Sequence, residues 1–220
     1  MPDYPPPAEY RGKPNRFLLP ARTPLWRIHP QSVKPTDFTP YRSRRRAGAG
    51  RFDGSPADPY AAYNSALEPG TAVANFLLEG IPLSATEVRT VRRVAVRGQR
   101  VSAVATTAEL ELVSLCDAAD LAAVAQDLWL IEAEECDHPQ VRLWAAWIRS
   151  RSDRTDGFIW PPRCQAARRA VVLFGDRCGP AVLEPDPLFG LDLDGDLGAH
   201  WLNSMLVEYR ARIMPPRKET

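Results

Sequence analysis

The stretch Asp156-Gly157-Phe158-Ile159-Trp160-Pro161-Pro162-Arg163, followed by Ala170-Val171-Val172-Leu173-Phe174, decides the fold of this chain. Short runs of aromatic and β-branched residues, bounded by glycine and proline, are typical of buried strands. We therefore predict strands at residues 157–160 and 169–174. The strand at 157–160 resembles an active-site strand, and the strand at 169–174 resembles the strand that supports it.

Around this pair of strands, the chain mixes further predicted strands and helices and shows no internal repeat. The helix at residues 139–149 has a clear apolar face, because Val141, Trp144, Ala145 and Ile148 recur at helical spacing. The other predicted elements are strands at 24–28 and 110–115, a hairpin of 88–96 and 100–106 around Gly98, and helices at 71–78, 118–126 and 199–212, with Asp117 and Asp137 as helix caps.

The composition predicts one globular domain in a chain of 220 residues, since 45% of them are hydrophobic and 25% are charged. A net charge of +1 gives no general attraction to nucleic acid or to an anionic membrane, so we expect no direct nucleic-acid binding. No apolar stretch is long enough to cross a bilayer, which predicts a cytoplasmic protein without membrane segments. The cysteines form no C-x-x-C pair and the histidines stand alone, so no metal site is predicted.

The high proline content of the first 20 residues distinguishes them from the rest of the chain. Residues 1–20 hold six prolines and predict an arm without regular structure, either disordered or lying on a partner subunit. Residues 21–213 form the predicted domain, and residues 214–220 form a tail. Inside the domain, residues 29–50 predict a long loop, in which the run Arg44–Arg46 is interpreted as solvated surface.

Four motifs occur in an informative order: Leu25-Trp26-Arg27, Gly50-Arg51-Phe52-Asp53, the alanine-rich helix that includes Ala72-Val73-Ala74-Asn75, and the D-G-x-x-W segment at 156–160. With the strand at 169–174, this order resembles the RES-domain family over residues 24–177. The resemblance implies an α+β, ADP-ribosyltransferase-like fold with twisted, split and mostly antiparallel sheets flanked by helices. It also implies an NAD-consuming toxin of a bacterial toxin–antitoxin pair, a homodimer, and a small helix–turn–helix antitoxin as partner.

The family's site residues, carried over by pattern, fall on unexpected residue types. Its tyrosine falls at Asn64, beside Tyr63, and its glutamate falls at Asn75. Its serine falls at Pro162, and no serine occurs between residues 153 and 191. The resemblance therefore implies that the catalytic acid and hydroxyl have been replaced by an amide and an imino ring.

The surviving groups predict ligand binding more than catalysis. Cleaving the bond between nicotinamide and ribose develops positive charge on the sugar, which a carboxylate stabilises and the Asn75 amide does not. Glu79, four residues further on, would project from the same helix face and is the one candidate to replace the lost acid. Arg27 and Arg51 offer planar, permanently charged groups suited to diphosphate oxygens, and we expect them to face one cavity.

Aromatic rings beside these groups are further candidates for the pocket. Tyr63 and Trp160 can stack on a base or a nicotinamide ring, although an aromatic residue on a buried strand is more often core. For Arg27 and Arg51, the alternative to ligand binding is an internal ion pair or a bond to a loop carbonyl.

Three functional hypotheses remain open from the residues alone. The first is a divergent RES-domain protein with an NAD-type pocket, no metal, and a remodelled catalytic centre. The second is an active NAD-degrading toxin in which Glu79 supplies the acid. The third is a non-catalytic module that binds proteins, for example through the proline-rich arm.

Overall fold

The computed structural model describes residues 5–10, 12–41, 50–163, 165 and 167–214, so the run Arg44–Arg46 lies outside the described residues. This part of the chain contains ten β-strands: β1 (Arg16–Leu19), β2 (Pro24–Pro30), β3 (Ala62–Ala66), β4 (Arg89–Val91), β5 (Gln99–Ala105), β6 (Leu110–Ser114), β7 (Gly157–Trp160), β8 (Ala170–Phe174), β9 (Phe189–Asp192) and β10 (Ala211–Ile213). It also contains five α-helices: α1 (Pro69–Leu77), α2 (Ala118–Ala122), α3 (Trp129–Glu132), α4 (His138–Arg151) and α5 (Asp196–Leu206).

Eight of the strands form one sheet in the order β1-β6-β7-β8-β3-β2-β5-β9. Every neighbouring pair in it is antiparallel except β6 and β7, which run parallel. The remaining two strands, β4 and β10, form a small parallel sheet of their own. The prediction of an α+β fold with mostly antiparallel strands flanked by helices is confirmed.

The predicted central pair, β7 and β8, lies in the middle of the large sheet. Residues 157–160 pair antiparallel with residues 170–173, and every residue of both strands is buried. Gly157 is required here, because a Cβ atom at this position would clash with the backbone carbonyl oxygen of Val172. The glycine of the D-G-x-x-W segment therefore allows β7 to lie close to β8.

The two faces of the large sheet are covered differently. One face carries the five helices of the described chain: α2, α3 and α4 cover the β6–β7–β8–β3 half, and α1 and α5 cover the β2–β5–β9 half. The opposite face is packed by loop residues that include Phe38, Val182 and Leu183. Because side chains alternate along a strand, Val172 of β8 points to the helical face and Val171 points to the loop-covered face.

Local sequence patterns account for the central helices. Asp117 caps α2, since its carboxylate accepts hydrogen bonds from two backbone amides of the first turn, Ala119 and Asp120. The predicted apolar face of α4 is buried in the core of the helical face. Asp137 stands at the N-cap position of α4, but its side chain makes no capping hydrogen bond.

Two predicted elements are wrong. Residues 88–96 do not form a hairpin with residues 100–106, because β5 already pairs with β2 on one side and with β9 on the other. Strand β4 pairs with β10 instead, and residues 93–96 form a 3₁₀ turn. The last helix ends at Leu206, not at residue 212, because the chain then turns into β10.

The N-terminal arm lies on its own chain. The indole Nε1 of Trp147 donates a hydrogen bond of 2.8 Å to the carbonyl of Pro7, and the Tyr10 and Trp147 rings are 5.6 Å apart. The prediction that residues 1–20 lack regular structure is wrong for Arg16–Leu19, which form the edge strand β1 and pair with β6. None of the helices in the described part of the chain is long and apolar enough to cross a membrane.

Candidate functional site

The candidate site lies on the helical face, where the end of α1 meets the start of α4. Arg51 is nearly buried there, with 9% of its side chain exposed, whereas Glu79 keeps 51% of its side chain in solvent. The Arg51 Nη2 atom lies 3.9 Å from the Glu79 Oε1 atom. Helix α1 ends before Glu79, which therefore projects from the turn that follows the helix and not from the helix itself.

His138, the first residue of α4, completes this group. Its side chain is 3% exposed, and its Nε2 atom lies 3.6 Å from the same Glu79 oxygen that faces Arg51. The Glu79 carboxylate thus stands between a permanent cation and an imidazole at the start of a helix. Three residues far apart in the sequence, at positions 51, 79 and 138, meet at this point.

The turn that carries Arg51 is held by Asp53. The carboxylate of Asp53 accepts a hydrogen bond of 2.8 Å from the backbone amide of Gly50 and another of 2.8 Å from the Nδ2 atom of Asn64. Phe52 is fully buried and anchors the turn in the core. Asn64 therefore helps to hold the turn that carries Arg51.

The charge of Arg51 is poorly compensated. The guanidinium donates no hydrogen bond to any described residue, and its Nη1 atom is buried without a partner among them. A separation of 3.9 Å from Glu79 is longer than the 2.7–3.2 Å typical of such bonds. Burial lowers the pKa of Arg51, the Glu79 carboxylate raises it and nearby Arg163 lowers it. An unmet buried donor of this kind costs about 1–3 kcal/mol, which a bound acceptor would recover.

Three further charged groups, Arg163, Glu132 and Glu134, border the site. Arg163, in the segment after β7, is half-exposed and pairs with Glu134 at 3.2 Å. Arg163 and Glu132 both act electrostatically on Arg51, so the cluster holds two arginines within range of each other.

Asn75 lies on α1 in an uncharged network. Its Oδ1 atom accepts a long hydrogen bond of 3.5 Å from the Nε2 atom of Gln165. The hydroxyl of Tyr209 donates to the Oε1 atom of Gln165 at 2.9 Å. Asn75 is therefore an amide that contacts another amide.

Trp160 and Pro162 are buried residues that lie just before Arg163 in the sequence. Trp160 is 8% exposed, and its ring meets the Phe52 ring edge-on at a centroid distance of 4.8 Å. Pro162 is buried, and its carbonyl accepts a hydrogen bond from the backbone amide of Gln165. Trp160 belongs to the hydrophobic core, which is the alternative that the sequence offers for it.

Arg27 and Tyr63 lie elsewhere. Arg27 is 6% exposed, its Nη1 atom donates a hydrogen bond of 2.6 Å to the carbonyl of Asp37, and its Cζ atom lies 4.4 Å from the centre of the Tyr63 ring. Tyr63 is fully buried and donates to the carbonyl of Pro35 at 3.1 Å. Burial lowers the pKa of Arg27 and raises that of Tyr63 to about 12.

The expectation that Arg27 and Arg51 face one cavity is wrong. Trp26, which pairs with Ala66, packs against the core formed with α1 and α5 on the helical face. Because side chains alternate along a strand, the next residue, Arg27, points to the loop-covered face. Arg51 lies with Glu79 on the helical face. Arg27 and Arg51 therefore lie on different faces of the large sheet, and only Arg51 belongs to the candidate site.

Sequence reasoning misses four residues of the site: His138, Arg163, Gln165 and Tyr209. His138 is a single histidine without metal-ligand spacing, although its position at the start of a predicted helix is a usable signal. Arg163 directly follows the motif of β7, but its proximity to Arg51 depends on the tertiary fold. Among the described residues no cluster of three or more potential metal ligands occurs.

The comparisons with known proteins agree with this architecture. A family model described as the RES domain matches residues 24–197. The chain belongs to the RES-domain family. The family match covers both β2, with Arg27, and the β7–β8 pair. It also includes every residue of the candidate site except Tyr209.

One solved structure supports the same fold for this RES-domain chain. It is a chain of the crystal structure of the M. tuberculosis MbcT–MbcA toxin–antitoxin complex, with a TM-score of 0.55 and 15% identity over 80% of this chain and 86% of that chain. A likeness at this identity concerns the fold. A comparison with curated proteins gave no match.

Proposed function

We propose that this RES-domain protein binds an NAD-type dinucleotide at the Arg51 site and that its catalytic centre is remodelled. The observation that carries the proposal is the buried Arg51 guanidinium, which has an unmet donor and opens toward the half-exposed Glu79. A diphosphate supplies planar acceptor oxygens of the kind that an arginine fork binds in pairs. Arg163 stands nearby as a second cation for the same group.

The remodelling is supported by the two positions that carry the family's acid and hydroxyl. Asn75 offers an amide, and Pro162 offers neither a hydroxyl nor a backbone donor. Neither group balances the positive charge that develops on ribose when the bond to nicotinamide breaks. Binding is thus retained in this proposal while the usual acid is absent.

Calorimetric titration of the purified protein tests the binding. NAD and ADP-ribose, titrated separately, are expected to saturate the protein in the micromolar to millimolar range, and ADP-ribose reports on the contacts that do not involve nicotinamide. The absence of saturable binding at millimolar NAD would refute the pocket.

NAD degradation is a second candidate function, because Glu79 places a carboxylate beside Arg51 and one turn beyond Asn75. In this alternative, Glu79 stabilises the positive charge on the ribose. Expression in a bacterial host is then expected to lower cellular NAD and arrest growth, and Glu79→Gln is expected to remove both effects. Unchanged NAD on expression of the wild type would reject this candidate.

We also propose a partner protein of the antitoxin type, with a helix–turn–helix fold, and a homodimeric state for the chain itself. The support is membership of the RES-domain family and the likeness to a chain that was crystallised in a toxin–antitoxin complex. Native mass spectrometry of protein purified from its own host is expected to show two copies of this chain with bound partner. A monomer without a partner would contradict both proposals.

A further inference from the structure

Glu79 is a well-exposed carboxylate that contacts both buried groups of the candidate site, Arg51 and His138. We propose that Glu79 is an internal counter-ion that occupies an anion site and must be displaced before a ligand phosphate binds there. The inference deepens the proposed function and rests on it for the identity of the natural ligand. It assigns Glu79 a role in controlling affinity, not in catalysis.

The first support is the poor fit between Glu79 and Arg51. The carboxylate approaches only to 3.9 Å, and one nitrogen of the guanidinium, Nη1, lies buried without a described partner. A well-placed arginine–carboxylate pair has bonds of about 2.7–2.9 Å, often two of them. Glu79 therefore neutralises part of the charge without forming a short hydrogen bond to the guanidinium.

The second support is the positive end of α4 beside the same oxygen. His138 is the first residue of this 14-residue helix, and the first turn of α4 contains no acidic residue. Asp137, at the N-cap position, makes no side-chain capping hydrogen bond to this helix. Glu79 Oε1 lies 3.6 Å from the His138 ring and supplies negative charge at this point. A ligand phosphate would supply more negative charge there than Glu79 does.

The third support is the ease with which Glu79 can leave. It stands in the turn after α1, and half of its side chain is in water. The next residue, Gly80, has a positive φ of 76° and nothing within 4 Å of its ideal Cβ position, so the turn is uncrowded. Rotation of the carboxylate into solvent therefore exposes a group that is already largely hydrated.

A matched pair of variants tests the inference by calorimetric titration with inorganic pyrophosphate. Glu79→Gln removes the competing charge and keeps the shape, so pyrophosphate is expected to bind about three- to tenfold more tightly. Glu111→Gln is the control, because Glu111 is 45% exposed and pairs with an arginine, Arg16, at 3.1 Å on the distant β1–β6 edge. The control is expected to bind pyrophosphate as the wild type does.

Glu79→Ala provides a second variant that also removes the carboxylate, and it is expected to tighten binding in the same direction. Adding Arg51→Gln to Glu79→Gln is expected to abolish the gain, because the guanidinium is the group that is unmasked. Equal or weaker pyrophosphate affinity in both Glu79 variants would overturn the inference, as would the absence of pyrophosphate binding to every variant.

The result is separable from that of the proposed function. Tighter pyrophosphate binding in Glu79→Gln, with no NAD binding to either protein, would retain the anion site and reject the dinucleotide. NAD binding to the wild type with no effect of Glu79→Gln on pyrophosphate would retain the dinucleotide and reject the counter-ion.

Discussion

Arg27 and Arg51 are both buried arginines, but they lie on opposite faces of the large sheet and have different surroundings. Arg27 donates a short hydrogen bond to a loop carbonyl and stacks on the fully buried Tyr63 ring. Arg51 donates no hydrogen bond to a described residue, and Glu79, the acidic group that faces it, is half in solvent. Arg27 is a part of the core, whereas Arg51 lies beside a side chain that is half in solvent.

Burial alone does not distinguish the two residues, since it lowers the pKa of both. The distinction comes from what each guanidinium touches and from whether a solvated group adjoins it. Each guanidinium has one buried nitrogen without a described partner, Nε of Arg27 and Nη1 of Arg51, so the half-exposed Glu79 beside Arg51 is what distinguishes the two. Variants on the two faces should therefore have different effects. We expect the largest differences in the free energy of unfolding and the rate of NAD consumption, and smaller ones in NAD affinity and the rate of thiol labelling.

Removal of Arg27 is expected to destabilise the protein. Arg27→Ala loses the contact with Tyr63 and the bond to the Asp37 carbonyl, and should lower the free energy of unfolding by about 2–4 kcal/mol. Arg51→Ala has no such hydrogen bond to lose, and should cost about 1 kcal/mol or less. Urea denaturation measures both, with the more exposed Arg16→Ala as a control. Equal losses at positions 27 and 51 would contradict the contrast.

The proposed remodelling predicts that an acid at position 75 and a hydroxyl at position 162 will increase NAD consumption. The double variant Asn75→Glu, Pro162→Ser supplies both groups, and its rate of NAD consumption should exceed that of the wild type about 100-fold. Chromatography of NAD and nicotinamide measures the rate. The double variant Asn75→Gln, Pro162→Ala is the control of similar size, and a rise in that control too would show that the acid and hydroxyl are not the cause.

Ligand binding is expected to depend on only one of the two arginines. Arg51→Gln removes the charged fork and should weaken NAD binding at least about tenfold, since bonds to charged groups are each worth about 1.5–3 kcal/mol. Arg27→Lys keeps the charge on the loop-covered face and should leave NAD affinity unchanged within about twofold. Calorimetry measures both, and a larger loss for Arg27→Lys than for Arg51→Gln would move the site to the loop-covered face.

The two faces should also differ in thiol reactivity. Cys178 packs against the core of the loop-covered face, and burial raises its pKa to about 12, so the thiol stays protonated until the pH approaches that value. Cys136 is exposed in the turn before α4. At pH 8, iodoacetamide is expected to label Cys136 at least about ten times faster than Cys178, because the thiolate is the reactive form. Peptide mass spectrometry measures both rates, and equal labelling would show that the loop-covered face opens.

Much of the fold followed from local patterns in the sequence. The apolar runs of β7 and β8 and the helical spacing of the buried face of α4 were sufficient, because strand and helix periodicities are properties of short segments. The hairpin around Gly98 failed because local β-branched composition does not specify which strand is the partner. Strand β5 finds two other partners, and β4 finds β10, more than 100 residues further on.

The candidate site was predictable only in part. Motif order indicates Arg51, Asn75 and Pro162, and the spacing of four residues from Asn75 indicates Glu79; Arg51 and Glu79 do meet. Arg27 was assigned to the same cavity because its residue type suits a diphosphate, but its position on a pleated strand turns it to the other face. His138 was missed because a single histidine has no spacing signal.

The sequence by itself determined the strand and helix periodicities, the amide at position 75 and the proline at position 162, and the motif order that identifies the RES domain. These are properties of residue type and of neighbours a few positions apart. The tertiary structure alone decided that Arg27 is enclosed, and that Arg51, Glu79 and His138 meet. These outcomes depend on strand pairing and helix packing between distant segments, which bring together side chains that no local pattern relates.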